Sequence, residues 1–220
     1  MRLHPAHTRI ARIALAVANR HGFALGGGLA LIAHGVVHRP TEDVDLFSDV
    51  AGAVPAATRL VAEALRADGF EVEEIEDETG YLGDHLAELE ITDPGRSGIA
   101  IRVTLGELHR ARSPVVLDVI GPVMDLADLR AWKVSALVSR AEPRDYIDVA
   151  AFLADTDADT LIGLARTVDP EIEEEDVARI RPRLDRMPDR EFHAYGLTVE
   201  EVAEVRRRFT GWPVFPQRVS

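Results

Sequence analysis

Apolar residues recur along this chain with two periods, and the change from one to the other divides it. Residues 6–20 (AHTRIARIALAVANR) carry Ile10, Ile13, Ala14 and Val17 at helical spacing, and His21-Gly22 closes that helix. Phe23 to Leu25 is a short predicted strand, and Leu29 to Val37 a short helix. In DVDLF, residues 43–47, the side chains Val44, Leu46 and Phe47 mark the next strand. Residues 56–67 (AATRLVAEALRA) form a helix closed by Asp68-Gly69, and Phe70 to Ile75 is another strand. HLAELEITDPGRSGIAIRVTL reads as two strands around the turn Asp93-Pro94-Gly95. Pro114 to Ile120 is apolar enough for a strand or an extended segment. From Asp125 onward the pattern is helical almost to the end. The expectation is an α/β domain over residues 1–122 and a helical domain over residues 123–220, joined near Gly121-Pro122, with no internal repeat and no low-complexity tract.

Composition narrows the class. The 220 residues are 46% hydrophobic, enough to fill a core of ordinary size. The absence of cysteine excludes a disulfide framework and thiolate metal sites, and fits a reducing compartment. No apolar run approaches the roughly 20 residues of a membrane span, and the N-terminus lacks the uninterrupted apolar core of a signal peptide. The expectation is a cytoplasmic protein without membrane contact. A formal charge of −13 argues against general affinity for nucleic acid, which rests on neutralising phosphates with basic side chains. Arginines do gather at Arg179, Arg181, Arg183 and Arg186 and at Arg206 to Arg208, and acids at residues 71 to 78 and 171 to 176. Such runs read first as solvated faces.

Candidate chemistry concentrates in FALGGGLALIAHGVVHRPTEDVDLF, residues 23–47. Alternate residues of a strand face the same way, so Asp43 and Asp45 project side by side. Two like charges at that separation repel unless a cation lies between them, so the strand end is either simply solvated or a metal site. The three glycines lack the Lys-Ser/Thr of a phosphate-binding P-loop, and Leu31 stands where the dinucleotide fingerprint needs its third glycine. What remains is mechanical: Gly27 and Gly28 let backbone amides approach a ligand at a helix start that favours an anion. Taken alone, they read better as a tight strand-to-helix turn.

The two features together are more specific. GGGLALIAHGVVHRPTEDVDLF resembles the first motif of the AbiEii/AbiGii-like abortive-infection nucleotidyltransferase toxins, which include the mycobacterial MenT-like enzymes. The resemblance implies a DNA polymerase β-like nucleotidyltransferase fold, an α/β (α+β) core with a mixed sheet followed by a helical region. It also implies that the glycine turn holds a nucleoside triphosphate and that Asp43 and Asp45 hold the Mg²⁺ or Mn²⁺ bridging to it.

A second match lies in DLADLRAWKVSALVSRAEPRDYIDVAAF. On a helical wheel Lys133 falls close to the stripe of Leu126, Leu129, Ala136 and Leu137, which is unusual for a surface charge. A lysine at the stripe's edge that snorkels to solvent is the alternative. The following Arg-Asp-Tyr-Ile-Asp matches the family's pairing of its helix lysine with an aspartate. The resemblance therefore assigns Lys133 to the triphosphate and Asp148 as its active-site partner. Asp145, in a first helical turn after Pro143, reads as structural. Many polymerase β-like enzymes add a third carboxylate on a later strand, and the aligned position here is Thr104, which cannot act as a base at neutral pH. Absence of a third acid is the first reading, Asp118 the alternative, and Glu107 a weaker one.

Other constellations carry less weight. His34 and His38 lack a third zinc ligand, and Asp155 to Asp159 imitates an EF-hand without its glycine or terminal glutamate. Trp132 and Trp212 read as packing residues. The expected activity is transfer of NMP from an NTP to a hydroxyl, with the family suggesting a tRNA 3′ end as acceptor and a partner antitoxin. A small-molecule nucleotidyltransferase of the antibiotic-modifying kind and a non-catalytic nucleotide-binding module stay open. Thr41, two residues before Asp43, reads as a loop cap. A phosphate there would set about −1.5 to −2 charges beside the aspartates, and the family resemblance suggests a kinase-like antitoxin as its source.

Overall fold

A computed structural model of the chain describes residues 4–75, 83–95 and 100–214. Residues 96–99, which follow the expected turn Asp93-Pro94-Gly95, and the end of the acidic run, residues 76–78, lie outside the described residues. The chain divides into a sheet-bearing unit, residues 1–35 and 41–125, and a helical unit, residues 36–40 and 126–220.

The sheet unit runs α1 (Pro5–Ala18), β1 (Ala24–Leu25), α2 (Gly27–Ala33), β2 (Asp43–Ser48), α3 (Val54–Ala67), β3 (Glu71–Ile75), β4 (Leu86–Thr92), β5 (Ala100–Glu107), β6 (Val115–Leu117) and β7 (Gly121–Val123). The seven strands form one mixed sheet in the order β3-β4-β5-β2-β1-β7-β6. β2 runs parallel to β5 and antiparallel to β1, which itself runs parallel to β7. Alternation decides which face is covered. Val44, Leu46, Leu89, Ile91, Val103 and Leu105 are buried, and α1 and α3 pack on the sheet with Ile10, Ala14, Leu15, Val61 and Leu65 also buried. On the other face of β2, β4 and β5, Asp43, Asp45, Glu88 and Thr104 are half-buried, while Glu90 and Arg102 are exposed.

Two boundaries differ from the sequence expectation. Gly121-Pro122 is not a junction, because Gly121–Val123 adds a strand to the sheet through Leu25 and Val123. α2 begins at Gly27 rather than Leu29, because Gly26 serves as its N-cap and Gly27 already turns into the helix.

The helical unit contains α4 (Leu126–Arg140), α5 (Pro143–Phe152), α6 (Ala158–Val168), α7 (Glu174–Arg186), α8 (Asp189–His193) and α9 (Val199–Arg208). α4 packs against α5, α6 and α7. The core is aromatic at one end: Phe209 contacts the rings of Tyr146 and Trp212. Buried polar atoms there are satisfied, with the Tyr146 hydroxyl donating to Ile180 O at 2.9 Å and Trp212 Nε1 donating to Val177 O at 2.9 Å.

Candidate active site

The carboxylate pair is built by strand register. β2 buries Val44 and Leu46 completely on one face, which turns Asp43 and Asp45 together onto the other. β5 sets Arg102 opposite Asp43 and Thr104 opposite Asp45. Beyond Thr104, β4 sets Glu88. The Arg102 guanidinium stands 3.7 Å from the Glu88 carboxylate, with its side chain half-exposed.

The glycine turn meets this pair directly. Gly26 N donates to Asp45 O at 2.8 Å, which ties the start of α2 to β2. Gly27 has φ +61, and a Cβ there would lie 1.7 Å from Asp45 Oδ2. Only glycine fits, because both the backbone angle and the space forbid a side chain. The first N–H groups of a helix have no partner within it, so Gly27 and Gly28, at the start of α2, offer amides that a ligand can use. Two hard carboxylate oxygen donors next to such amides suit Mg²⁺, which characteristically takes one or two carboxylates and completes its shell with water and phosphate oxygens. Among the described residues no group of three His, Cys, Asp or Glu side chains converges on one point.

Neither alternative third acid lies with the pair. Asp118 is exposed in the turn before β7. β7 runs parallel to β1 and only its end, Met124 N to Leu25 O, reaches the level of the glycine turn, so Asp118 lies toward the opposite end of the sheet. Glu107 is paired in register with Ser48, on the opposite parity from the aspartates, and accepts from Gly52 N and pairs with the His85 ring.

In the helical unit Lys133 is buried, its side chain only 11% exposed, so it does not snorkel to solvent. Its Nζ lies 2.8 Å from Asp148 Oδ2, and Asp148 is fully buried. A third residue, absent from the sequence reading, completes the group. Arg39 Nε donates to Asp148 Oδ1 and Nη2 to Oδ2, both at 2.7 Å, with the guanidinium 6.0 Å from the Tyr195 ring centre. Burial alone would push the Asp148 carboxyl up; Lys133 and Arg39 outweigh it and hold the group below its ordinary value. The one local signal for Arg39 is its place just before Pro40, inside the stretch that carries the family resemblance.

Asp145, His34 and Asp157 have structural contacts. Asp145 closes a capping box with Glu142 and accepts two bonds from Arg140. His34 Nε2 donates to Met124 O at 2.9 Å, and Asp157 caps α6 through Thr160 N. Thr41 is half-buried just before β2. His7 on α1 is buried, with Nε2 donating to Glu42 O at 3.1 Å.

Comparison with known proteins gives this geometry a context. No curated protein matches the chain. Among solved structures, MenT4, a nucleotidyltransferase toxin from Mycobacterium tuberculosis H37Rv, superposes with a TM-score of 0.64 at 19% identity, covering 94% of this chain and 82% of that one. JHP933 from Helicobacter pylori gives 0.58 at 13% identity, covering 93% and 88%. At such identities the likeness is one of fold. The family model for the nucleotidyl transferase AbiEii toxin of type IV toxin–antitoxin systems matches residues 10–205, nearly the whole of both units. The chain therefore belongs to the AbiEii toxin family and is a nucleotidyltransferase.

Proposed function

We propose that the protein transfers NMP from an NTP to a hydroxyl at a tRNA 3′ end, in the cytoplasm, as the toxin opposed by a cognate antitoxin. The observation that carries the reading is the Asp43–Asp45 pair facing one way beside a glycine that can hold no side chain. Asp43 and Asp45 hold Mg²⁺, which when bound reduces the charge of the triphosphate. Gly27 and Gly28 amides donate to its oxygens, and Lys133 supplies a compact positive charge, with Asp148 orienting the lysine. The acceptor oxygen forms a bond to the α-phosphorus as the bond to the β-phosphate oxygen breaks, and pyrophosphate leaves. With Thr104 at the aligned third position, the acceptor proton passes to solvent. Catalysis is then mostly positioning and electrostatics.

The test is labelled nucleotide transfer. With all four NTPs, Mg²⁺ and tRNA, label appears on the RNA, and Asp43→Ala abolishes it while the fold is kept. Binding of NTP is lost in EDTA. Label carried only by a small amine-rich compound would replace tRNA with a small-molecule acceptor, a choice that the −13 charge favours. Thr41 is the proposed regulatory position: Thr41→Glu weakens transfer and Thr41→Val keeps it, and equal activity of the two removes the switch.

A further inference from the structure

Lys133 is the only lysine in the chain; the other side chains with a permanent positive charge are all arginine. A lysine presents a compact charge with three rotatable donors, which suits an anion whose oxygens move. Yet Lys133 is paired with Asp148, and a lysine and an aspartate 2.8 Å apart, both buried, cancel as seen from outside. Such a pair alone would be a poor trap for a polyanion.

Arg39 changes that balance. It engages both oxygens of Asp148 in a bidentate bond, with its own side chain 4% exposed. The group of three then carries two positive charges against one negative. We propose that Arg39 is a positioning residue that neutralises Asp148, so that the Lys133 charge stays available to the triphosphate. Arg39 touches no substrate in this scheme; it acts through Asp148. The inference rests on the assignment of Lys133 to the triphosphate made above.

The experiment uses the full chain with Mg²⁺ and inorganic tripolyphosphate as probe, read by calorimetry. It is read again by protection of Lys133, the only side-chain amine, from acylation. Arg39→Met leaves a neutral pair, and affinity falls roughly tenfold. Arg39→Met combined with Asp148→Asn removes one charge of each sign and restores the surplus of the wild type. The amide oxygen introduced at position 148 still accepts from Lys133 Nζ and keeps the lysine oriented, so affinity returns to within about threefold of wild type. An anchoring role alone predicts the reverse, because the double variant has lost both ends of the bond. The inference is overturned if the double variant binds as weakly as Arg39→Met, or if Arg39→Met binds like wild type. Should Arg39→Met fail to fold, the double variant, which keeps no buried carboxylate deprived of its bidentate partner, carries the test, and a tenfold loss there overturns the inference. Wild-type chain that binds no tripolyphosphate overturns it too. Wild-type transfer of NMP without rescue by the double variant removes only the role of Arg39. Rescue without transfer removes the proposed activity and keeps that role.

Discussion

Both units hold charges that the proposed chemistry needs, and they hold them by opposite means. In the sheet unit Asp43 and Asp45 sit half-buried on one strand face, set by alternation with a fully buried Val44 and Leu46. In the helical unit Asp148 has no exposure, and its charge is kept by Arg39 and Lys133. A half-buried carboxylate keeps some access to solvent, so its removal costs function more than folding. A fully buried carboxylate is stabilised only by its partners, so its removal leaves two cations in the interior.

The largest expected effect follows from that contrast. Asp148→Ala destabilises the protein by about 3–5 kcal/mol, whereas Asp43→Ala changes stability by less than about 0.5 kcal/mol yet abolishes transfer. Urea unfolding of the two variants side by side measures this, and equal stabilities would erase the distinction between the units. Gly27→Ala comes next. It forces a left-handed angle worth about 1–2 kcal/mol on an L residue and drives its Cβ into Asp45, so stability and transfer fall together. A Gly27→Ala enzyme with normal transfer would separate the glycine turn from the carboxylates.

Acidity sharpens the comparison further. The Asp148 carboxyl is held below its ordinary value, so its stabilising contribution is complete above about pH 4, the unfolded carboxylate pKa, and is lost as pH falls through the folded value. Circular dichroism between neutral and acidic pH detects the loss, and an Asp148→Asn variant has a flatter acid limb. The smallest effect belongs to His7, whose ring donates to Glu42 O just ahead of the carboxylate strand. Burial lowers its pKa and keeps it neutral. His7→Leu costs about 1 kcal/mol, while His7→Gln, which can still donate, recovers most of it in the same unfolding assay.

Much of the sheet unit was legible because its signals are local. Alternation in DVDLF fixed a strand and the common face of its aspartates, and the helical stripe of residues 126–137 set Lys133 among apolar neighbours. β7 was missed because Gly121-Pro122 looks like a break, whereas its strand is defined by pairing with Leu25, far away in the chain. Arg39 was missed for the same reason in stronger form. Its partner lies 109 residues later, and no spacing rule joins an arginine before a proline to an aspartate in a distant helix.

That separation bears on how the protein can be made and cut. Residues 36–40 group with the helical unit although the chain on either side of them belongs to the sheet unit. A fragment beginning at Leu126 therefore carries Asp148 and Lys133 without the guanidinium that grips the carboxylate. Supplying a peptide that spans residues 36–40 should firm such a fragment, as in complementation of split proteins. On the ribosome the arginine emerges long before its aspartate, so this part of the helical unit closes only after α5 has been synthesised.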